Sequence, residues 1–483
     1  MLLLFYQITP ESNSMNLNQS VNKKSFYFLS SLFFMWGFIT VTNDILINTF
    51  KGIFDLTAPQ RSLVQSAFFG AFFIISLIYF LLSTSTGRDP INRLGYKNGM
   101  SISLAVCGLG CLMFYPAAHF HSYGFFLAAL FVLASGVTLL QICANPYATI
   151  LGPAESASSR LNQAQGLNSL GTTLGPLVGT ILIYQVFSKG DVDVNAVANT
   201  YIIYGFVFLV MSLITFFREM PAFKNIEKIE KGIGVLKNRH LFLGVLAIFF
   251  YVGSEVAVGS WIVEFIKSDK IMGLPEAEAS YFLSYFWGGL MIGRLMAAVS
   301  LNNEFSIQQK AIRMAMYAIG AFLLIYVVTA IKFVDGHFEM QFLPFNKIGL
   351  YLLFMLINYG AFFLTFNKPA RALVVFSLIN AGLISIAILG RGELAFWALI
   401  GSGLFFSVGW SNIFSLAIRG LGKLTSQGSS LLVMAIVGGA VLPNIQSFII
   451  ESHGVQLSFL IPLFGMVYLI FYGLNGYKLK SEL

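Results

Sequence analysis

The stretch GFITVTNDILINTF, residues 37–50, sets Asn43 and Asp44 side by side in an otherwise largely apolar run. A carboxylate inside hydrocarbon costs about 2.5–3.5 kcal/mol on insertion scales. The neighbouring turns, with Phe38, Ile39, Val41, Ile45 and Leu46, supply no cation to pair with it. An acid so placed can take up and release a proton, or hold a sodium ion together with nearby oxygens, if it faces a polar cavity rather than lipid. A second set of polar residues surrounds it in kind: Gln141 with Asn145 one turn on, and Asn162, Gln165 and Asn168 in RLNQAQGLNSLGTT. The last three, with Ser169, recur at helical spacing and so share a face. Side-chain amides offer donors and acceptors together, which is the mixture that the hydroxyls of a neutral polyol require. Trp36 and Trp410 stand near these positions and can serve as platforms for the CH face of a ring, and Glu255 in YVGSEVAVGSW is a second acid within an apolar run. A site for cations would hold several acids, and a site for organic anions would carry Arg or Lys within its helices. Arg294 is the only clear basic candidate, near the end of its run.

Each of these residues has a plainer use. Amides and hydroxyls in membrane helices hydrogen-bond neighbouring helices. Tryptophans pack or anchor at interfaces, and Glu264 near a span end is simply solvated. The glycines of LGTTLGPLVG and VGGAVLP serve close packing. Asp44 is the exception, since an intramembrane acid is functional by default.

The elements that must position these groups follow from hydropathy. The chain is 57% hydrophobic and 10% charged, with a mean hydropathy of +0.78, where soluble domains carry about 25% charge. Apolar stretches of the length that crosses a bilayer recur near 26–48, 62–83, 98–116, 124–146, 165–186, 200–217, 241–265, 281–300, 310–331, 346–366, 369–389, 394–418, 428–450 and 455–476. The alternating short strands of an outer-membrane barrel are missing. The fold class is therefore all-α and polytopic, with about 14 spans in a lipid bilayer. With the N-terminus inside, 20 Lys and Arg fall on the inner loops and 8 on the outer ones. This asymmetry predicts cytoplasmic termini and assigns the net charge of +8 to topology rather than to nucleic acid. Cys107, Cys111 and Cys143 lie within spans and form no spaced framework. His119 and His121 read as loop residues. No phosphate loop, metal-spaced cluster or nucleophile triad argues for an enzyme, a cofactor or a metal site. MLLLFYQITP is too short for a cleaved signal, and Met15 suggests a start that omits residues 1–14.

Internal repeats organise the spans. FFMWGF from Phe33 matches FFYVGS from Phe249, SAFFGA from Ser66 matches SYFWGG from Ser284, and QGLNS from Gln165 matches QGSSL from Gln427. The first two pairs keep their spacing, while the second half takes about 44 residues more before the third, enough for two extra spans. The expected organisation is a tail over 1–25, a six-helix bundle over 26–217 and a charged linker over 218–240. A second bundle follows over 241–476, with a helical hairpin inserted within about 301–367, and then a tail over 477–483. Two similar bundles in one chain are how alternating-access transporters are built, with the site between the halves.

Several strings carry a family resemblance: LFFMWGF with NDIL, TLLQICANPY with LGP, SSRLNQAQGLNSLGTTLGP, YVGSEVAVGSW, IGR, NIFSLAI and GSSLLVMAIVGGAVLP. Together they resemble the fucose:proton symporter family of the major facilitator superfamily, and most of all its bacterial glucose/galactose transporter branch, over about 26–300 and 369–476. The resemblance implies the major facilitator fold and sugar import by cation symport, acting as a monomer. It implies that Asp44 is the proton-coupling aspartate, that Gln165 and Asn168 contact sugar, and that Trp410 is the aromatic of the late-span site. Some positions depart from the pattern. Gln141 stands where fucose symporters have a glutamate, which removes one titrating group and weighs against fucose. Ser411 replaces a proline, Asn92 replaces the acid of the loop after the second span, and the inserted hairpin is foreign to the pattern. Glucose, galactose, fucose and N-acetylglucosamine remain open as substrates, as do proton and sodium as the coupling ion. A multidrug exporter of the same superfamily would want a wide aromatic cavity instead, and a sensor would want an appended signalling domain.

Overall fold

The computed structural model describes residues 23–482 apart from positions 57, 189–192, 223–230, 335–336 and 366. The side chains of Asn43 and Asp44, within the first helix, also lie outside the described residues, as do residues 1–14 and the middle of the 218–240 linker.

The first half consists of α1 Lys23–Phe54, α2 Ala58–Thr86, α3 Tyr96–Leu112, α4 Tyr123–Ile150, α5 Ala157–Ile181 and α6 Val194–Phe217. The second begins with α7 Arg239–Lys267 and α8 Glu276–Ser300, continues through α9 Ile307–Ala330 and α10 Gly349–Phe363, and reaches α11 Pro369–Leu389. It ends with α12, Gly392–Phe406 resuming as Gly409–Ala417, with α13, Thr425–Met434 resuming as Gly438–His453, and with α14 Leu460–Phe471. Among the described residues 13 helices are long and apolar enough to cross a membrane. The exception is α10, whose 15 residues reach only about 22 Å at 1.5 Å per residue. Side-chain caps start several helices. Ser122 accepts from the Phe125 amide, Asp193 from the Ala196 amide, and Ser306 with Gln309 closes a capping box on α9. Between α9 and α10 a two-stranded antiparallel ribbon pairs Ile331–Val334 (β1) with His337–Met340 (β2), Ile331 opposite Met340. Hydropathy alone does not announce it.

The two halves repeat one packing scheme. In the first, α1 packs on α5, α2 on α4, and α3 on α4 and α6; in the second, α7 packs on α13, α8 on α12, and α11 on α12 and α14. Contacts between the halves obey the same correspondence, since α2 meets α13 and α5 meets α8. The inserted α9 lies along α8, and α10 along α12 and α8, outside the second bundle. Buried bonds seat this hairpin: Asn358 donates to the Leu404 carbonyl (2.8 Å) and Tyr351 to the Tyr285 carbonyl (2.9 Å).

Glycines in both halves allow backbone-to-backbone contact. A Cβ on Gly171 of α5 would lie 2.3 Å from the Phe34 carbonyl oxygen of α1, and one on Gly438 of α13 would lie 2.1 Å from that of Phe249 on α7. Gly171→Leu is therefore expected to destabilise the protein by at least about 2–3 kcal/mol, at the upper range of overpacking costs. Thermal unfolding of the purified variant checks this.

One end of the molecule, called here the linker end, carries the start of α1, the end of α6 and the start of α7. The hydrogen bonds that join the halves gather there. Asn162 donates to Asn412 Oδ1 (3.1 Å), Ser158 meets Ser415, and Ser159 donates to the Ala298 carbonyl (2.6 Å). Gln427 donates to Ser83 Oγ (2.8 Å), Ser429 to the Ile142 carbonyl (3.1 Å), and Asn92 to the Lys423 carbonyl (3.1 Å). Behind this seam Asp89 accepts from Tyr79 (2.7 Å) and caps the short helix Pro90–Leu94. Burial pushes the Asp89 carboxyl above the ordinary carboxylate range, despite the hydrogen bonds it accepts.

Candidate functional site

Above the sealed end, between the halves, lies a cavity of about 160 Å³. Its walls come from both bundles: Trp36 and Thr40 on α1, Gln141 on α4, Gln165, Asn168 and Thr172 on α5, Tyr251 and Glu255 on α7, Arg294 on α8 and Trp410 on α12. The spacings are those of helical faces. Gln165, Asn168 and Thr172 recur on α5 as Leu283, Trp287, Leu290 and Arg294 do on α8. A second space of about 440 Å³ shares Thr40, Asn168, Thr172, Glu255 and Arg294 with the first. A third of about 370 Å³ continues past Trp287 and Thr172 towards Tyr281 and Ile331 at the end remote from the linker. The cavity is thus shut at the linker end and continuous with space towards the other.

The structure brings together six of the residues that the sequence singled out: Trp36, Gln141, Gln165, Asn168, Glu255 and Trp410 line one cavity. Gln141 and Gln165, 7% and 5% exposed, make no side-chain hydrogen bond among the described residues. Asn168 donates to the Phe33 carbonyl (3.0 Å), so α1 already engages its amide nitrogen. Asn162 does not join them. It is fully buried one turn nearer the linker end, and its amide bonds Asn412 and the Ser158 carbonyl. Helical spacing gave it the right face, but the closing halves occupy that level. Asn43 and Asp44 lie outside the described side chains, in a helix whose Trp36, Gly37 and Thr40 are wall residues.

Arg294, Tyr251, Thr40, Thr172 and the ring cluster Phe68, Phe69 and Phe72 complete the wall. Sequence reasoning did not assign them to it. Arg294 Nη1 donates to Ser169 Oγ across the halves (2.7 Å), and Nη2 stands 3.9 Å from Glu255 Oε2. A usable signal existed, for the repeated strings SAFFGA and SYFWGG put Phe69 and Trp287 at matching positions, and both face the central space. Trp410 Nε1, the Tyr251 hydroxyl, Glu255 Oε2 and Arg294 Nε are buried without a hydrogen-bond partner in the protein. Buried polar atoms are nearly always satisfied, so four in one wall mark a place where a polar guest or water completes the bonding. Chemically, the wall can bind hydroxyls by amides and indole, stack a ring, and present one balanced pair of charges.

Two helical bundles related by an approximate twofold, with a polar cavity between them closed at one end, define an alternating-access carrier in architecture. The sequence pattern of the Major Facilitator Superfamily matches residues 27–368, and the chain belongs to that superfamily. A glucose/galactose transporter of Brucella abortus is 37% identical over 97% of this chain and 98% of its own length. The crystal structure of the Escherichia coli fucose:proton symporter, FucP, superposes with a TM-score of 0.70 at 26% identity, over 93% of this chain and 98% of FucP. A crystal structure of FucP in the outward conformation gives 0.71 with the same identity and coverage.

Proposed function

We propose that this protein imports a neutral hexose, of glucose or galactose type, together with a proton, by alternating access across a bacterial inner membrane. The observation that carries the reading is the joint wall. Gln141, Gln165, Asn168, Trp36, Trp410 and Glu255, drawn from both halves, meet around one cavity with unfilled hydrogen-bonding capacity. The names of the relatives agree with it, a glucose/galactose transporter and a fucose:proton symporter. The 20 to 8 distribution of Lys and Arg supports a cytoplasmic linker end, which makes the described state outward-facing. In this reading residues 26–217 and 241–476 are the two rocking units, and 218–240 is the cytoplasmic tether.

Sugar enters from outside and trades water for the amides of Gln141 and Gln165 and the indole N–H of Trp410. Asp44, once protonated, removes the charge that would resist closure over the site. Rocking then opens the linker-end seam, whose bonds are neutral and individually worth only about 0.5–1.5 kcal/mol, so they can part and re-form within each cycle.

The test is uptake of labelled glucose, galactose, fucose and N-acetylglucosamine into vesicles under imposed proton or sodium gradients. Glucose or galactose accumulation driven by protons supports the proposal, whereas drug efflux without sugar uptake would overturn it. Gln165→Ala is expected to raise KM for the transported hexose about 2- to 12-fold, the worth of one hydrogen bond, in the same assay.

A further inference from the structure

Among the described residues the charged side chains on the central cavity and its outward continuation are Glu255 and Arg294, one of each sign. Both are nearly buried, at 13% and 9% side-chain exposure, so neither is neutralised by bulk water. Their geometry is unusual for an ion pair. Arg294 is anchored by Nη1 on Ser169, while Nη2 stays 3.9 Å from Glu255 Oε2, beyond hydrogen-bond reach. Arg294 Nε and Glu255 Oε2 are left without partners. A guanidinium with free donors on the wall of a substrate cavity is a ready receptor for a carboxylate, which it binds by a planar fork. What stands against that use is the acid on the facing helix.

We propose that Glu255 is the specificity-determining residue that keeps this cavity for neutral hexoses and bars their uronic acids, by balancing Arg294 with a carboxylate of the protein's own. The inference rests on the hexose reading above and deepens it. A hexuronate differs from its hexose only at C6, where a carboxylate replaces a hydroxymethyl group of similar size, so charge rather than volume must discriminate. With Glu255 in place, the incoming anion meets a site whose cation is already matched and an acid of its own sign a few ångströms away. With an amide at 255, Arg294 is unmatched and the substrate carboxylate becomes its counter-ion. Meanwhile Arg294 and Glu255 together supply both donors and an acceptor to the hydroxyls of a neutral ring.

Competition for hexose binding to the purified protein tests this, using D-galacturonate and its uncharged methyl ester at pH 7 against labelled D-galactose or D-glucose. In the wild type the acid should compete at least about tenfold more weakly than the ester, the lower end of a charge-assisted hydrogen bond. In Glu255→Gln the ratio of acid to ester should shift by at least about tenfold towards the acid. Adding Arg294→Met should erase that gain. The ratio is internal to each preparation and does not depend on the folded fraction. If Glu255→Gln yields no folded protein, the wild-type ratio still decides. Equal competition by acid and ester in the wild type, or an unchanged ratio in Glu255→Gln, overturns the inference. A wild type that binds and transports no neutral hexose overturns the hexose reading instead, so the two failures are distinct.

Discussion

Asp44→Asn is expected to abolish accumulation of hexose against its gradient while leaving exchange of internal for external sugar intact. The reasoning begins with cost. A bare carboxylate in a dry cavity is paid for only while water or a cation reaches it, so an empty, charged carrier resists closing. Protonation removes that resistance, and bound sugar can then bond the neutral acid. Asparagine mimics the protonated form permanently, so the carrier rocks whether or not a proton has arrived. One pH unit of gradient, about 1.4 kcal/mol, supports about tenfold accumulation in a one-to-one symporter; the variant should fall to equal concentrations inside and out. Position 44 follows the wall residue Thr40 by one helical turn and Gly37 by two. Parallel measurement of gradient-driven uptake and counterflow in vesicles separates the two functions. Accumulation at the wild-type level would remove Asp44 from the coupling mechanism, and loss of both activities would make it a structural residue.

The contrast between what was legible in the sequence and what was not has a physical origin. Spans are legible because crossing hydrocarbon demands length and apolarity together, which any window detects. The surplus of about 44 residues between matching strings points to two extra helices in the second half, and α9 and α10 occupy 307–330 and 349–363. The β1–β2 ribbon escaped because IKFVDGHFEM is read by hydropathy as the fringe of two spans. Its Asp335-Gly336 dipeptide between alternating residues is a hairpin signal of another kind. In the site, period 3.6 identifies a face but not a depth. Gln165 and Asn162 share a face of α5, yet the first meets the cavity and the second meets Asn412, because the halves converge towards the linker end. Arg294 was visible as a lone cation, but its pairing with Glu255 depends on how α7 and α8 sit side by side, which no local pattern encodes.

The linker-end seam yields the second large effect. Ser158 on α5 and Ser415 on α12 touch through their hydroxyls, and a disulfide needs Cβ atoms about 3.5–4.5 Å apart. Ser158→Cys with Ser415→Cys should therefore cross-link under mild oxidation. Cys107, Cys111 and Cys143 are buried and free. Cys143 follows the seam residue Ile142, but its sulfur packs against Gly99 within the first bundle, not against Ser158 or Ser415. The bond would join one rocking unit to the other at the linker-end level, where several hydrogen bonds already hold them closely. If release of sugar requires this end to part, the oxidised protein should lose transport to background, because the conformational step that carries each turnover is blocked. It should still bind hexose from the opposite side, because the cavity above the seam keeps its walls and its outward continuation. Reductant should restore transport in the same vesicles, which excludes damage by the oxidant or misfolding of the variant. Full transport by a protein shown to be cross-linked would mean that sugar leaves by a route other than this seam, and the alternating-access account of the chain would have to be abandoned with it.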